Sequence, residues 1–190
     1  MTERATPMEH AAPPAFETLL RTVAEMDTPD GFKAELIRGK IIVSPWSKLR
    51  YVRPMRALRR QLEAHSPDGH IVDTTPVLFR FPAAARAHGP DLYVADEAAF
   101  EEEGRHADGA ALSLVAEFTS VSTKDVDWRE KLDVYGQLVP IYLVIDVQAS
   151  EITCFSDHSP HGYQFRKTVP FGAALPVPDP FGFDVDSSGF

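Results

Sequence analysis

The sequence is poor in several features that would have assigned it quickly. A single cysteine, Cys154, in 190 residues excludes a disulfide framework and any cysteine-based zinc knuckle. No apolar run approaches the ~20 residues needed to span a bilayer. Met1 to Ala15 is polar and Pro/Ala-rich, without the charged-then-apolar pattern of a secretory signal. A cytoplasmic chain with no membrane attachment is therefore the expectation. Basic charge is also scarce: the net charge is −9, whereas a general nucleic-acid coat is basic overall. No G-x-S-x-G, G-x-G-x-x-G or G-x-x-x-x-G-K occurs, which disfavours serine-hydrolase, dinucleotide and P-loop sites.

What is present is unevenly distributed. Arg38, Lys40, Lys48, Arg50, Arg53, Arg56, Arg59 and Arg60 follow one another with no Asp or Glu among them. Arg53, Arg56 and Arg60 recur at i, i+3, i+7, opposite Met55, Leu58 and Leu62, so a helix here has one basic face and one buried face. Such a face is either ordinary solvated surface or attracts a polyanion or an acidic partner. Pro54 suits a first turn, which puts the helix start close to it.

Residues 1–14 read as a disordered leader and 15–190 as one domain. Phe16, Leu19, Leu20, Val23 and Met26 predict an amphipathic helix ending before Pro29-Asp30-Gly31. Strands are expected at Lys33–Ile37 and Lys40–Ser44, then at Ile71–Asp73, Val77–Phe81, Leu92–Ala95 and Leu112–Phe118, with an acidic loop over Asp96–Gly109. A helix capped at Ser122 and Asp125 is expected to run to Leu138. Ile141–Val147 reads as a central strand, and Glu151–Phe155 and Tyr163–Lys167 as a pair of outer strands. The Pro/Gly-rich tail from Pro170 is expected to wrap the surface. This mixture makes an α/β (α+β) domain around one sheet.

Chemistry is sought among acidic residues in strands. Asp91 follows Pro90 and opens Leu92-Tyr93-Val94, and Glu117 ends the apolar run Leu114-Val115-Ala116. A carboxylate in a buried strand is costly unless it is paired or metal-bound. Two of them on neighbouring strands suggest a site for a hard cation such as Mg²⁺ or Mn²⁺. Asp127, Lys131 and Tyr135 share one side of the expected helix, as a plain i,i+4 ion pair or with the ammonium aimed at the carboxylates. His158 and His161 sit beside Pro160 and Gly162, where a turn is the expected context. Cys154 reads as a buried inert thiol.

The order Ala34-Glu35-Leu36-Ile37-Arg38-Gly39-Lys40-Ile41, Ser44-Pro45, Pro90-Asp91-Leu92 and Val115-Ala116-Glu117-Phe118-Thr119-Ser120 resembles the Uma-two family. That family is described as restriction-endonuclease-like and placed in the PD-(D/E)XK nuclease superfamily. The likeness continues through Asp127, Lys131 and Tyr135 into Tyr142-Leu143-Val144-Ile145-Asp146 and spans about Phe16 to Asp186. It implies a restriction-endonuclease-like central mixed β-sheet flanked by helices. It further implies that Asp91 is the Asp of the P-D element, Glu117 the first acid of E-x-K, and Glu35 the early glutamate. Thr119 stands where E-x-K has its lysine, and the resemblance makes Lys131 the substitute. Trp46-Ser47-Lys48-Leu49 stands where members often carry a His, and Pro54 falls in the helix that follows.

The resulting expectation is a divalent-metal-dependent DNA endonuclease. Asp91 and Glu117 hold Mg²⁺ (or Mn²⁺), Lys131 orients the nucleophile or stabilises phosphate charge, and Glu35 is a second ligand or a base acting through water. Arg53, Arg56 and Arg60 hold the DNA backbone without reading bases. A homodimer is compatible with this reading. The alternative is a catalytically inactive chain of the same fold, serving as a nucleic-acid- or protein-binding module.

Overall fold

The computed structural model describes residues 14–45, 49–101, 103–119 and 126–190. The expected leader up to residue 13, the stretch 46–48 and the cap at Ser122 and Asp125 lie outside the described residues, as does the side chain of Asp127.

Helix α1 (Pro14–Glu25) leads into the hairpin of β1 (Phe32–Ile37) and β2 (Lys40–Pro45). Arg38 and Gly39 both have positive φ, 50° and 69°, the backbone a two-residue hairpin turn requires. Helix α2 (Val52–His65) follows, with Pro54 in its first turn, where the missing N–H does no harm, so the proline does not interrupt it. Next come β3 (His70–Asp73), β4 (Leu78–Phe81), β5 (Arg86–His88), β6 (Leu92–Asp96), β7 (His106–Asp108) and β8 (Leu112–Thr119). A π-helical turn (Val126–Lys131) runs into the short α3 (Leu132–Tyr135). The chain closes with β9 (Ile141–Asp146), β10 (Glu151–Ser156), β11 (Phe165–Pro170), β12 (Leu175–Val177) and β13 (Phe183–Val185).

The central sheet is mixed, in the order β11-β10-β9-β8-β6-β3, with β8 and β9 parallel. It is not the only large sheet: β2-β1-β5-β4-β7 form a second, five-stranded one. The three-residue strands β5 and β7 complete it, and β7 lies inside the segment expected to be loop. Helix α3 also stops earlier than Leu138. Gly136 ends it, donating its N–H to Leu132 O at 2.9 Å, and a Cβ there would come within 3.0 Å of Gly162 Cα.

Strand alternation assigns the faces. Leu92, Val94, Leu114, Ala116 and Phe118 pack with Leu58 and Leu62 of α2 on one side of the central sheet. Tyr93 and Val115 face the other way and meet Phe79 and Phe81 of the second sheet, with Tyr135 and Tyr142 between. The outer side of the second sheet is covered by Phe16, Leu20 and Val23 of α1, against Leu36 and Ala87. The tail does not merely wrap the surface. Leu175, Val177, Phe181 and Val185 are buried in the core on the α2 side, because β12 and β13 form a hairpin whose alternate residues point inward.

Candidate functional site

The polar cluster lies between the two sheets. Leu92 pairs with Ala116, so Asp91 and Glu117 are the next residues along their strands, at the parity of Tyr93 and Val115. On β1, Ala34 and Leu36 face α1, which turns Lys33 and Glu35 toward the central sheet. Leu36 pairs with Ala87, so His88 shares that inward side. The π-helical turn brings in Lys131, and Arg38 in the β1–β2 turn is ion-paired with Glu130 next to it.

Lys131 and its carboxylates are almost fully buried. Lys131 Nζ donates to Glu117 Oε1 at 2.8 Å and lies 3.4 Å from Glu35 Oε1. Tyr135 Oη is 3.4 Å from the same Glu117 oxygen. Asp91 Oδ2 accepts the Phe118 N–H at 3.0 Å, which binds the two acidic strands together. Lys33, which the sequence reading placed only as the start of a strand, donates to Gly89 O at 2.7 Å and Asp91 Oδ1 at 3.2 Å. Its signal was the i,i+2 spacing with Glu35. Gly89 N–H in turn donates to Glu35 Oε1 at 2.9 Å. Two residues of β1 therefore grip both polar groups of one glycine, two positions before Asp91.

Burial acts on these charges and is outweighed for two of them. It pushes the Glu35 carboxyl up, but Lys131, then Lys33, His88 and the Gly89 N–H hold it down to about 2. Burial likewise works against the Lys33 ammonium, yet Glu35 and Asp91 together raise it above the ordinary lysine value. His88 is the exception. Its desolvation prevails over the attraction of Glu35 and brings the imidazole down to about 3, so it is neutral at physiological pH. Neither ring nitrogen has a hydrogen-bond partner among the described residues, and the ring packs against Phe81 and Tyr135.

The structure thus brings together Glu35, Asp91, Glu117 and Lys131, and adds Lys33 and His88. It does not bring Arg53, Arg56 and Arg60 to that cluster. They are exposed on α2, on the opposite face of the central sheet, around a shallow depression with Leu49 and Val52. The link between the regions is Tyr51 at the start of α2, whose hydroxyl donates to Thr119 O at 3.1 Å, two residues past Glu117. His158 precedes, and His161 lies within, a turn closed by Gly162 N–H to Ser159 O at 2.9 Å. Cys154 is buried, and desolvation pushes its thiol to about 12.

The family profile described as "Uma2: Putative restriction endonuclease" matches residues 16–187. The chain belongs to the Uma2 family. Its fold is similar to that of a crystal structure described as "a putative nuclease belonging to DUF820" from Anabaena variabilis: TM-score 0.70, 14% identity, 93% of this chain and 97% of that one. No curated protein matches. Among the described residues of this Uma2 chain, no helix is long and apolar enough to cross a membrane.

As ligands for a cation, Asp91 and Glu117 are hard oxygen donors on adjacent strands. Among the described residues no three His, Cys, Asp or Glu side chains gather as a metal site. An all-protein cage is thus excluded within that set. Mg²⁺ seldom needs one: one or two carboxylates, completed by water and substrate phosphate, are its usual protein complement. The pair fits that requirement.

Proposed function

We propose that this Uma2 chain hydrolyses phosphodiester bonds of DNA with a divalent cation, Mg²⁺ or Mn²⁺, held by Asp91 and Glu117. The observation that carries the proposal is the buried contact of Lys131 with Glu117, beside the strand end that bears Asp91. Such an ion, when bound, lowers the pKa of water and neutralises charge on the scissile phosphate. Lys131 supplies a fixed positive charge for the oxygens of the phosphate, already desolvated and oriented by two carboxylates. Glu35, ionised at neutral pH, holds that ammonium in place and anchors the Gly89 peptide. The π-helical turn thus delivers the lysine that the Thr119 position of E-x-K does not. Arg53, Arg56 and Arg60 contact the phosphate backbone on the α2 side.

The test is cleavage of supercoiled plasmid by the full chain with Mg²⁺ or Mn²⁺, beside Glu117→Gln purified in the same way. Metal-dependent nicking by wild type, reduced about a hundredfold or more in Glu117→Gln, is expected. Equal nicking by both chains would assign the activity to a contaminant. A second reading, a non-catalytic binding module, draws on the internal pairing of the cluster and the net charge of −9. Salt-dependent DNA binding without cleavage in any metal would favour it.

A further inference from the structure

Lys33 has no place in the proposed reaction so far, yet it contacts a proposed metal ligand directly. Its ammonium bridges Asp91 Oδ1 and Gly89 O, while Asp91 Oδ2 is taken by the Phe118 N–H. Both Asp91 oxygens are therefore engaged, and a hard cation taking Oδ1 would compete directly with the Lys33 ammonium. The charges of the cluster lead the same way. Three carboxylates, Glu35, Asp91 and Glu117, face two ammoniums, Lys33 and Lys131, with a neutral imidazole beside them. Among the described residues of the cluster the carboxylates outnumber the ammoniums by one, and removing one ammonium would widen that excess. A surface depression of about 250 Å³, lined by Thr28, Phe32, Lys33, Val77, Gly89 and Arg105, opens next to Lys33. It gives the side chain room to swing away from Asp91.

We infer that Lys33 is a positioning residue that acts as the resident cation of the site: it holds Asp91 Oδ1 in the metal-free chain, and a divalent ion binds by displacing it. The inference rests on the proposed metal role of Asp91. Lys33 sets metal affinity and keeps Asp91 in position between binding events, so that the carboxylates do not repel one another into disorder. Two like charges competing for one carboxylate oxygen are negatively coupled, and the coupling is reciprocal.

The test is a calorimetric titration of the full chain with Mn²⁺ alone, comparing wild type, Lys33→Met, Lys33→Gln and Lys33→Arg. Lys33→Met and Lys33→Gln should bind Mn²⁺ at least tenfold more tightly than wild type, with Lys33→Arg close to wild type because it keeps the charge. A lysine that served only to stabilise the fold would loosen metal binding when lost, or leave it alone. Lys33→Gln can still donate a hydrogen bond to Gly89 O, so it keeps the test open if Lys33→Met loses its cooperative thermal transition. Wild-type Mn²⁺ binding with equal or weaker binding by the neutral variants would overturn the displacement and leave the metal reading standing. Absence of Mn²⁺ binding in every chain would overturn both.

Discussion

The cluster between the sheets and the basic face of α2 use similar residues under opposite conditions. Between the sheets, Lys131 is 2% exposed and lies within 3.4 Å of two carboxylates. On α2, Arg53, Arg56 and Arg60 are exposed, and no acidic side chain pairs with them among the described residues. Arg59, one position away, is ion-paired with Glu63 and Asp73 at 2.8 and 3.6 Å, and Arg38 with Glu130. The basic run is thus not a single surface. Arg38 and Arg59 fasten the fold, whereas Arg53, Arg56 and Arg60 face outward. A buried charge is committed to its partners by the cost of leaving them, whereas an exposed one is worth little until something binds it.

Breaking the buried side of this contrast should have the largest effect. Lys131→Met leaves Glu35 and Glu117 buried without their shared ammonium, and unfolding by denaturant should show a loss of about 3–5 kcal/mol. A loss below about 1 kcal/mol would give Lys131 the energetics of a surface pair.

His88 sharpens the comparison from within the cluster, because it is buried and neither ring nitrogen has a hydrogen-bond partner among the described residues. Its folded pKa of about 3 lies below the ordinary 6.5, so the unfolded chain binds more protons between those values. Stability contributed by the neutral ring is therefore complete above about pH 6.5 and lost as pH falls toward 3. Glu35, held at about 2 against an ordinary 4.5, adds a second loss as pH falls through that lower window. His88→Phe should match wild type at pH 7 or exceed it by about 1–3 kcal/mol, since an unpaired buried polar group costs about that much. It should also lose less stability than wild type between pH 6.5 and 4, in thermal melts taken across that range. A variant as acid-labile as wild type would show that the ring is already paired or charged.

The smallest effect on the fold belongs to the exposed face. Changing Arg53, Arg56 and Arg60 together to Gln should leave stability within about 0.5 kcal/mol per site. The effect should appear instead in DNA binding, as a weaker affinity and a salt dependence flatter by about 0.9 per lost duplex phosphate contact. An unchanged salt slope would make this face plain solvated surface.

Legibility in the sequence follows the same divide between local and long-range causes. The buried strand β9 and the two-faced helix α2 announce themselves, because an unbroken apolar run and a 3.6-residue period are local signals. The order of Glu35, Asp91, Glu117 and Lys131 was readable through the family resemblance, and the fold brings those four together. Strands β5 and β7 were not readable, since three residues carry no period, and without them there is no second sheet. The tail hairpin was hidden by the prolines around Leu175 and Val177. Lys33 and His88 escaped for a related reason: a lone polar residue gains its meaning only from what lies across the sheet, here Asp91 for one and Glu35 for the other.

The central claim is that Asp91 and Glu117 hold a divalent ion beside Lys131. Anomalous diffraction from crystals of the full chain grown with Mn²⁺ tests it most directly. The account predicts a Mn²⁺ peak within about 2.5 Å of a carboxylate oxygen of each residue. A peak seated elsewhere, or none at these carboxylates at millimolar Mn²⁺, would contradict it.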